Sequence, residues 1–372
     1  MQARALASAA LTLILAASPM ALAQGTPSTR KALVLDSGKA TLTFDLAGGS
    51  LADFHLNGSS LNPFSWGAPN PNDPAIRGFG HFLCLDRWGP PSSAEGANGM
   101  PYHGEAAHVL WSLDPPSQDT PAPLQAQMSA SLPLAGLHIQ RSVQFSQNQS
   151  VALIRESISN KNKLGRTYNC VQHPTIGAPF LDESTLVDCN GRQGFAQGGP
   201  MPNPEEPSSF WPRALTRQGD AVNLRHLSNN PDPNVVSYCI DEPHGWITAA
   251  SPSKRLLVGY LWKTTDYPWV SLWRDVRNGK PAARGLEFGT TGLHQPFPIL
   301  VQKGRIFGRP LLEFLDANQS VTKSYAVFLA PIPVDFSGTE TIQVDPENHR
   351  LIIKEQGKGP ERDIVLPMES SL

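Results

Sequence analysis

Leu124-Gln-Ala-Gln-Met-Ser-Ala-Ser-Leu132 alternates apolar or small residues with polar ones without a break. That two-residue period belongs to a strand with one face buried and the other wet. Similar patterns recur at Ala40-Thr-Leu-Thr-Phe-Asp-Leu46, around Val143 and Phe145, and from Lys254 to Trp262. Thr341-Ile-Gln-Val344 and Leu351-Ile-Ile353 flank the turn-rich Asp345-Pro-Glu-Asn-His349, which predicts a hairpin. No segment sustains an apolar stripe at helical spacing over several turns, and 35 prolines and 31 glycines would interrupt long helices. The expectation is an all-β chain built as a large two-sheet β-sandwich.

Proline- and asparagine-rich stretches at Asn62–Pro74, Gly198–Pro212 and Ser228–Asn234 read as long loops. Strand patterns resume on both sides of each without a shift in composition, so they do not mark domain boundaries. A single domain over 24–372 is expected, preceded by a leader. Arg4, the apolar run Leu11-Thr-Leu-Ile-Leu-Ala16 and the small-x-small Ala21-Leu-Ala23 have the form of a secretory signal peptide over 1–23. Pro19 interrupts that run well short of the roughly 20 apolar residues a membrane span needs. Gln24 follows the cleavage pattern where a lipoprotein would carry cysteine. A periplasmic or secreted protein without a membrane anchor is the expectation.

The formal net charge is -2, with acidic and basic residues interspersed. No basic stripe points to nucleic acid or an acidic membrane, and a small neutral substrate fits better. Cys84, Cys170, Cys189 and Cys239 allow either disulfides or buried free thiols in an exported chain; none lies in a CxxC.

Chemistry-bearing residues gather in His81-Phe-Leu-Cys-Leu-Asp-Arg-Trp-Gly89, in Asn98-Gly-Met-Pro-Tyr-His-Gly-Glu-Ala106 and at Trp111. Histidine, arginine, carboxylate, amide and indole together are what grips a sugar through polar contacts and an apolar ring face. His103, Glu105 and His108 lack the helical zinc spacing, so no metal is expected. There is no Gly-x-Ser-x-Gly elbow, and Gly78-Phe-Gly80 lacks the third glycine of a phosphate loop, which sets nucleotide enzymes aside.

Taken in order, Asp86-Arg87, His103-Gly104 with Trp111, His173 in Val171-Gln-His-Pro-Thr-Ile-Gly177, and Leu286-Glu287 with Pro296 resemble the motif series of the aldose 1-epimerases, or galactose mutarotases. The resemblance covers roughly Lys39 to Pro331. It departs at Asp86, where the family usually has asparagine, at Glu105 in place of a second glycine, and at Pro174-Thr-Ile-Gly after the histidine. It implies the galactose mutarotase type of β-sandwich and, with no cofactor, acid–base interconversion of the anomers of a small carbohydrate. Glu287 would be the base and His173 the acid, and whether the two face each other across one sugar-sized gap is the feature that discriminates this function from its rival. His103 and Arg87 would bind hydroxyls. The family's sugar-binding aspartate would correspond to Asp241, with Asp266 and Asp275 as competitors. A tryptophan such as Trp262, Trp269 or Trp273 could stack on the sugar. The rival function is a noncatalytic carbohydrate-binding protein or polysaccharide-processing module on the same fold.

Overall fold

The computed structural model describes residues 30–114, 124–198, 208–368 and 372; the expected signal peptide lies outside them. Two large antiparallel sheets, of 13 and eight strands, make up the body. In the centre of the larger one run, side by side, the strands His81–Asp86, Arg166–Gly177, Lys280–Gly289, Trp269–Arg277 and Val235–Cys239. The smaller sheet centres on His244–Ser251, Leu256–Lys263, Ser320–Pro331, Val151–Asn160 and Leu137–Phe145. This is the expected all-β sandwich. The two α-helices among the described residues, Ser93–Ala97 and Phe297–Lys303, are short, and no helix there is long and apolar enough to cross a membrane.

Alternation explains the larger sheet. Leu83, Leu85, Cys170, Val236, Val270, Leu272, Leu286 and Phe288 turn inward and join the core shared with the smaller sheet. Their neighbours Phe82, Cys84 and Val171 turn outward beneath a second apolar cluster with Trp88 and Ala107. Both faces are covered, so His81–Asp86 is buried at every position. Phe288 stacks on Trp262 with ring centroids 4.1 Å apart and meets Tyr260, Tyr267 and Tyr325 edge-on or tilted. Burying one such ring contributes about 1.5–3 kcal/mol.

Between the sheets lies a polar network. Arg141 Nε donates to Glu156 Oε1 at 2.8 Å, and Gln172 Nε2 donates to Glu156 Oε2 at 2.6 Å and to Tyr267 at 3.2 Å. His81 bridges Gln172 and Tyr260. Because Gln172 is held inward, the next residue, His173, must face outward.

Gln125–Leu132 and Ala40–Asp45 form strands as their patterns predict. The strand after Lys254 departs from alternation. It begins at Leu256, after a 3₁₀ turn at Pro252–Lys254, and is buried on both faces. The cause is a small third sheet. Thr339–Asp345 and Arg350–Glu355 form the expected hairpin, Ile364–Pro367 adds a strand, and Ile342, Leu351, Ile353 and Leu366 pack on Leu257, Leu261, Ala326 and Phe328. Of the predicted loops, Asn62–Pro74 and Ser228–Asn234 contain no strand. Gly198–Pro212 is a loop only in part: 199–207 lies outside the described residues, and Ser209–Phe210 pairs with Gln193–Ala196. All four cysteines are buried free thiols.

Candidate active site

Register assembles the site. Gly285 pairs with Thr175 and Phe288 with Gln172, which sets Glu287 opposite His173. Phe82 flanks His173 on one side, and Ser271 flanks Glu287 on the other. Directly opposed residues share a face, so Phe82, His173, Glu287 and Ser271 form one row across four strands. Phe82, His173 and Glu287 of this row floor a cavity of about 940 Å³ whose walls include Trp66, Trp88, Tyr102, His103, Trp273 and His294.

His173 Nε2 lies 3.3 Å from Glu287 Oε1. The two groups are side by side in direct contact, without the sugar-sized gap that was to discriminate an isomerase from a carbohydrate-binding protein. On the far oxygen, Trp88 Nε1–H donates to Glu287 Oε2 at 2.6 Å. On the far side of the imidazole, Nδ1 is 3.0 Å from Thr175 Oγ1, whose hydroxyl donates in turn to the His173 carbonyl. That arrangement assigns the ring proton to Nδ1 and leaves Nε2 as the acceptor facing the carboxyl group. Phe82 stacks on the imidazole at 4.3 Å and excludes water from it.

Burial governs both titrations. Desolvation pushes the Glu287 carboxyl up to about 8 against the opposing pull of the Trp88 N–H, and drives His173 down to about 3. At neutral pH the pair therefore holds one proton, as a carboxylic acid donating to a neutral imidazole. Gly285 gives the carboxyl room, since a Cβ there would meet Glu287 Oε1 at 2.9 Å and Trp273 Cβ at 3.0 Å.

His103 stands over the row, its ring centroid 5.3 Å from that of His173. Its backbone is left-handed, at φ 68, and Gly104 follows at φ 77. Residue 104 must be glycine because a Cβ would run into the Leu85 carbonyl oxygen. The His103 N–H donates to Gly89 O at 3.0 Å, and the Gly89 N–H donates back to His103 Nδ1 at 3.1 Å. This reciprocal clamp leaves Nε2–H as a donor toward the cavity. Burial lowers His103 well below the ordinary imidazole value.

The structure brings together three of the five sequence-predicted site residues: Glu287, His173 and His103. Arg87 is not among the cavity walls. Its guanidinium is paired with Asp86 and Glu95, with its carbon over the Phe297 ring at 5.1 Å, so the expectation that it binds substrate is corrected to a structural role. Arg87 in turn holds the Glu95 carboxyl at about 2. Asp241 is likewise corrected: it pairs with Arg192 and Arg309 outside the cavity. Among its competitors Asp266 accepts from the Ser324 backbone, while Asp275 lines the cavity. Of the candidate tryptophans, Trp262 and Trp269 are fully buried and Trp273 reaches the cavity. Glu105 accepts from the Leu134 and Ala135 amides, and among the described residues no group of three or more His, Cys, Asp or Glu side chains could hold a metal ion.

Sequence reasoning missed Trp88 and His294 as site residues. His294 Nε2 lies 3.0 Å from the Tyr102 hydroxyl, its backbone N–H donates to Gln197 Oε1, and burial lowers it to about 4. Trp88 directly follows Arg87, and that position beside a motif residue was the available signal.

Neither a family model nor a curated protein matches the chain. Solved structures do. A galactose mutarotase-like protein from Clostridium acetobutylicum, 12% identical, is matched over 83% of this chain and 98% of that one with a TM-score of 0.58. The galactose mutarotase related enzyme from Lactobacillus acidophilus, 11% identical, is matched over 82% and 98% with a TM-score of 0.57. A galactose mutarotase-like protein from Lactobacillus casei, 13% identical, is matched over 81% and 100% with a TM-score of 0.56. At such identities the likeness is one of fold, and the chain has a galactose mutarotase-like β-sandwich.

Proposed function

We propose that this protein is an isomerase that interconverts the anomers of a reducing sugar. The observation that carries the reading is the direct contact between Glu287 and His173, two buried proton-transfer groups 3.3 Å apart on the floor of a cavity with aromatic walls. The names of the structural neighbours agree with it.

Opening a pyranose needs a proton taken from the anomeric hydroxyl and a proton given to the ring oxygen. Both oxygens are bonded to the same carbon, so two groups in contact can serve both at once. The pair gains and loses no proton over the step. Carboxylic acid with imidazole and carboxylate with imidazolium contain the same single proton, and in the second form Glu287 is the base and His173 the acid. The hemiacetal O–H bond breaks toward the base as the C1–O5 bond breaks and O5 takes the proton from the acid, leaving the open aldehyde. Rotation about the C1–C2 bond and reversal of the transfers closes the ring as the other anomer. Each positioned acid or base typically contributes about 10²–10⁴-fold. In this reading His103 Nε2–H donates to a sugar oxygen.

Freshly dissolved α-aldoses, followed by polarimetry, test the reading: equilibration faster than in buffer is expected. Sugar binding without faster equilibration would make this a carbohydrate-binding protein instead. Export is part of the proposal and rests on the 1–23 pattern. Mature protein beginning at Gln24 supports it, and retention of Met1 in the secreted fraction refutes it.

A further inference from the structure

The cavity is longer than the chemistry of one sugar ring requires. Ser271 is level with Glu287, and Trp273, Asp275 and Arg277 follow at alternate positions of the same strand, the last three all on the cavity wall. At a strand rise of about 3.3 Å per residue, Asp275 lies roughly 13 Å and Arg277 roughly 20 Å along the strand from the Glu287–His173 row. The opposite direction is closed, because Trp269, Leu293 and Leu300 pack into an apolar cluster there. Along the strand direction, a ligand anchored on the row can therefore extend past Trp273 toward Arg277.

We infer that this arm is a second saccharide subsite and that the preferred substrate is the reducing end of a neutral disaccharide or longer oligosaccharide. The inference rests on the anomer-interconverting reading of the Glu287–His173 pair. Only a reducing-end residue carries the hemiacetal, so that residue occupies the row and the rest of the chain runs along the arm. Trp66 and Trp273 meet edge to face there, at 5.5 Å, and offer an apolar wall for the next ring. Beyond them the polar groups come as pairs. Arg277 Nε is 2.8 Å from Asp275 Oδ2, and Arg217 Nε is 3.9 Å from Asp232 Oδ1. Each pair presents donors and acceptors to vicinal hydroxyls. With each arginine already matched by a carboxylate, the arm suits a neutral chain and not a sugar phosphate.

The test measures equilibration of maltose, lactose and cellobiose against glucose and galactose, in the wild type and in Arg277→Ala and Asp275→Ala. Arg277 is largely exposed, so its removal leaves folding intact; Asp275 is more buried, and its variant is compared with wild type by circular dichroism first. At least one disaccharide should show a KM about tenfold lower than its monosaccharide, and the variants should cut that preference severalfold. Faster equilibration of monosaccharides with no disaccharide preference overturns the subsite and leaves the isomerase reading standing. Where nothing equilibrates faster than in buffer, calorimetric titration decides. Tighter binding of a disaccharide, weakened by Arg277→Ala, supports the subsite and rejects the isomerase; equal or absent binding overturns both.

Discussion

The indole N–H of Trp88 donates to Glu287 Oε2 at 2.6 Å while His173 faces Oε1. One carboxyl group is thus oriented from both sides, by a rigid donor on one oxygen and a proton-transfer partner on the other. Trp88 touches Glu287 and acts through it, which makes it a positioning residue.

Trp88→Phe keeps the ring's bulk and removes the donor. Losing a hydrogen bond to a charged group costs about 1.5–3 kcal/mol, so kcat should fall roughly 10–100-fold. The indole also holds the Glu287 pKa down, so the alkaline limb of the kcat profile, expected near pH 8 in the wild type, should move upward in the variant. An unshifted limb would remove Trp88 from the proton-transfer machinery.

The buried histidines make the fold sensitive to acid. Burial depresses His81 and His173 to about 3, His294 to about 4 and His103 well below 6.5. Each keeps a neutral ring in the native state where the unfolded chain takes up a proton. Their stabilisation is complete above about pH 6.5 and is lost as pH falls toward the native values. Glu287 acts in the opposite sense: its raised pKa stabilises below about 4.5 and that contribution is lost as pH rises toward 8. Four histidines outweigh one carboxyl, so stability should drop between pH 6.5 and 4.5, each titrating group contributing at most about 1.4 kcal/mol per pH unit. Urea midpoints across that range measure it; a flat or rising midpoint would contradict the assignment of neutral buried rings.

Glu156→Ala should destabilise the chain by about 3–5 kcal/mol, since it strands the buried Arg141 guanidinium and frees Gln172. Urea denaturation at neutral pH reads the loss directly. A change below about 1 kcal/mol would mean that the inter-sheet network does not hold the His173 strand.

Gly104→Ala forces a Cβ into a left-handed position and against the Leu85 carbonyl. A cost of about 1–3 kcal/mol is expected, together with a raised KM as His103 leaves its clamp with Gly89. Unchanged stability and KM would show that the turn can relax without moving His103.

Much of the fold was legible because alternation is a local signal. Gln125–Leu132 shows it in full, with one face buried and the other wet. Leu256–Lys263 does not, because the small third sheet that covers its second face is distant in sequence, and a predicted hairpin does not say which surface it packs on. Within the site, the order of motifs identified His103, His173 and Glu287, but residue type alone could not separate Asp241 from Asp275. That distinction depends on which strand face borders the cavity, and hence on register with Lys280–Gly289. Arg87 misled for a related reason. A guanidinium that binds sugar and one that is consumed by Asp86 and Glu95 are the same letter until the partners are located.

The central claim is that Glu287 and His173 exchange one proton with the two oxygens of an anomeric carbon. Anomer exchange measured by NMR magnetisation transfer, on the sugar that the wild type equilibrates fastest, tests it in Glu287→Gln and His173→Asn. Both variants should lose at least about 10²-fold in exchange rate, with an unchanged circular dichroism spectrum and sugar affinity within a few-fold of wild type. Exchange at the wild-type rate in either folded variant would contradict the account.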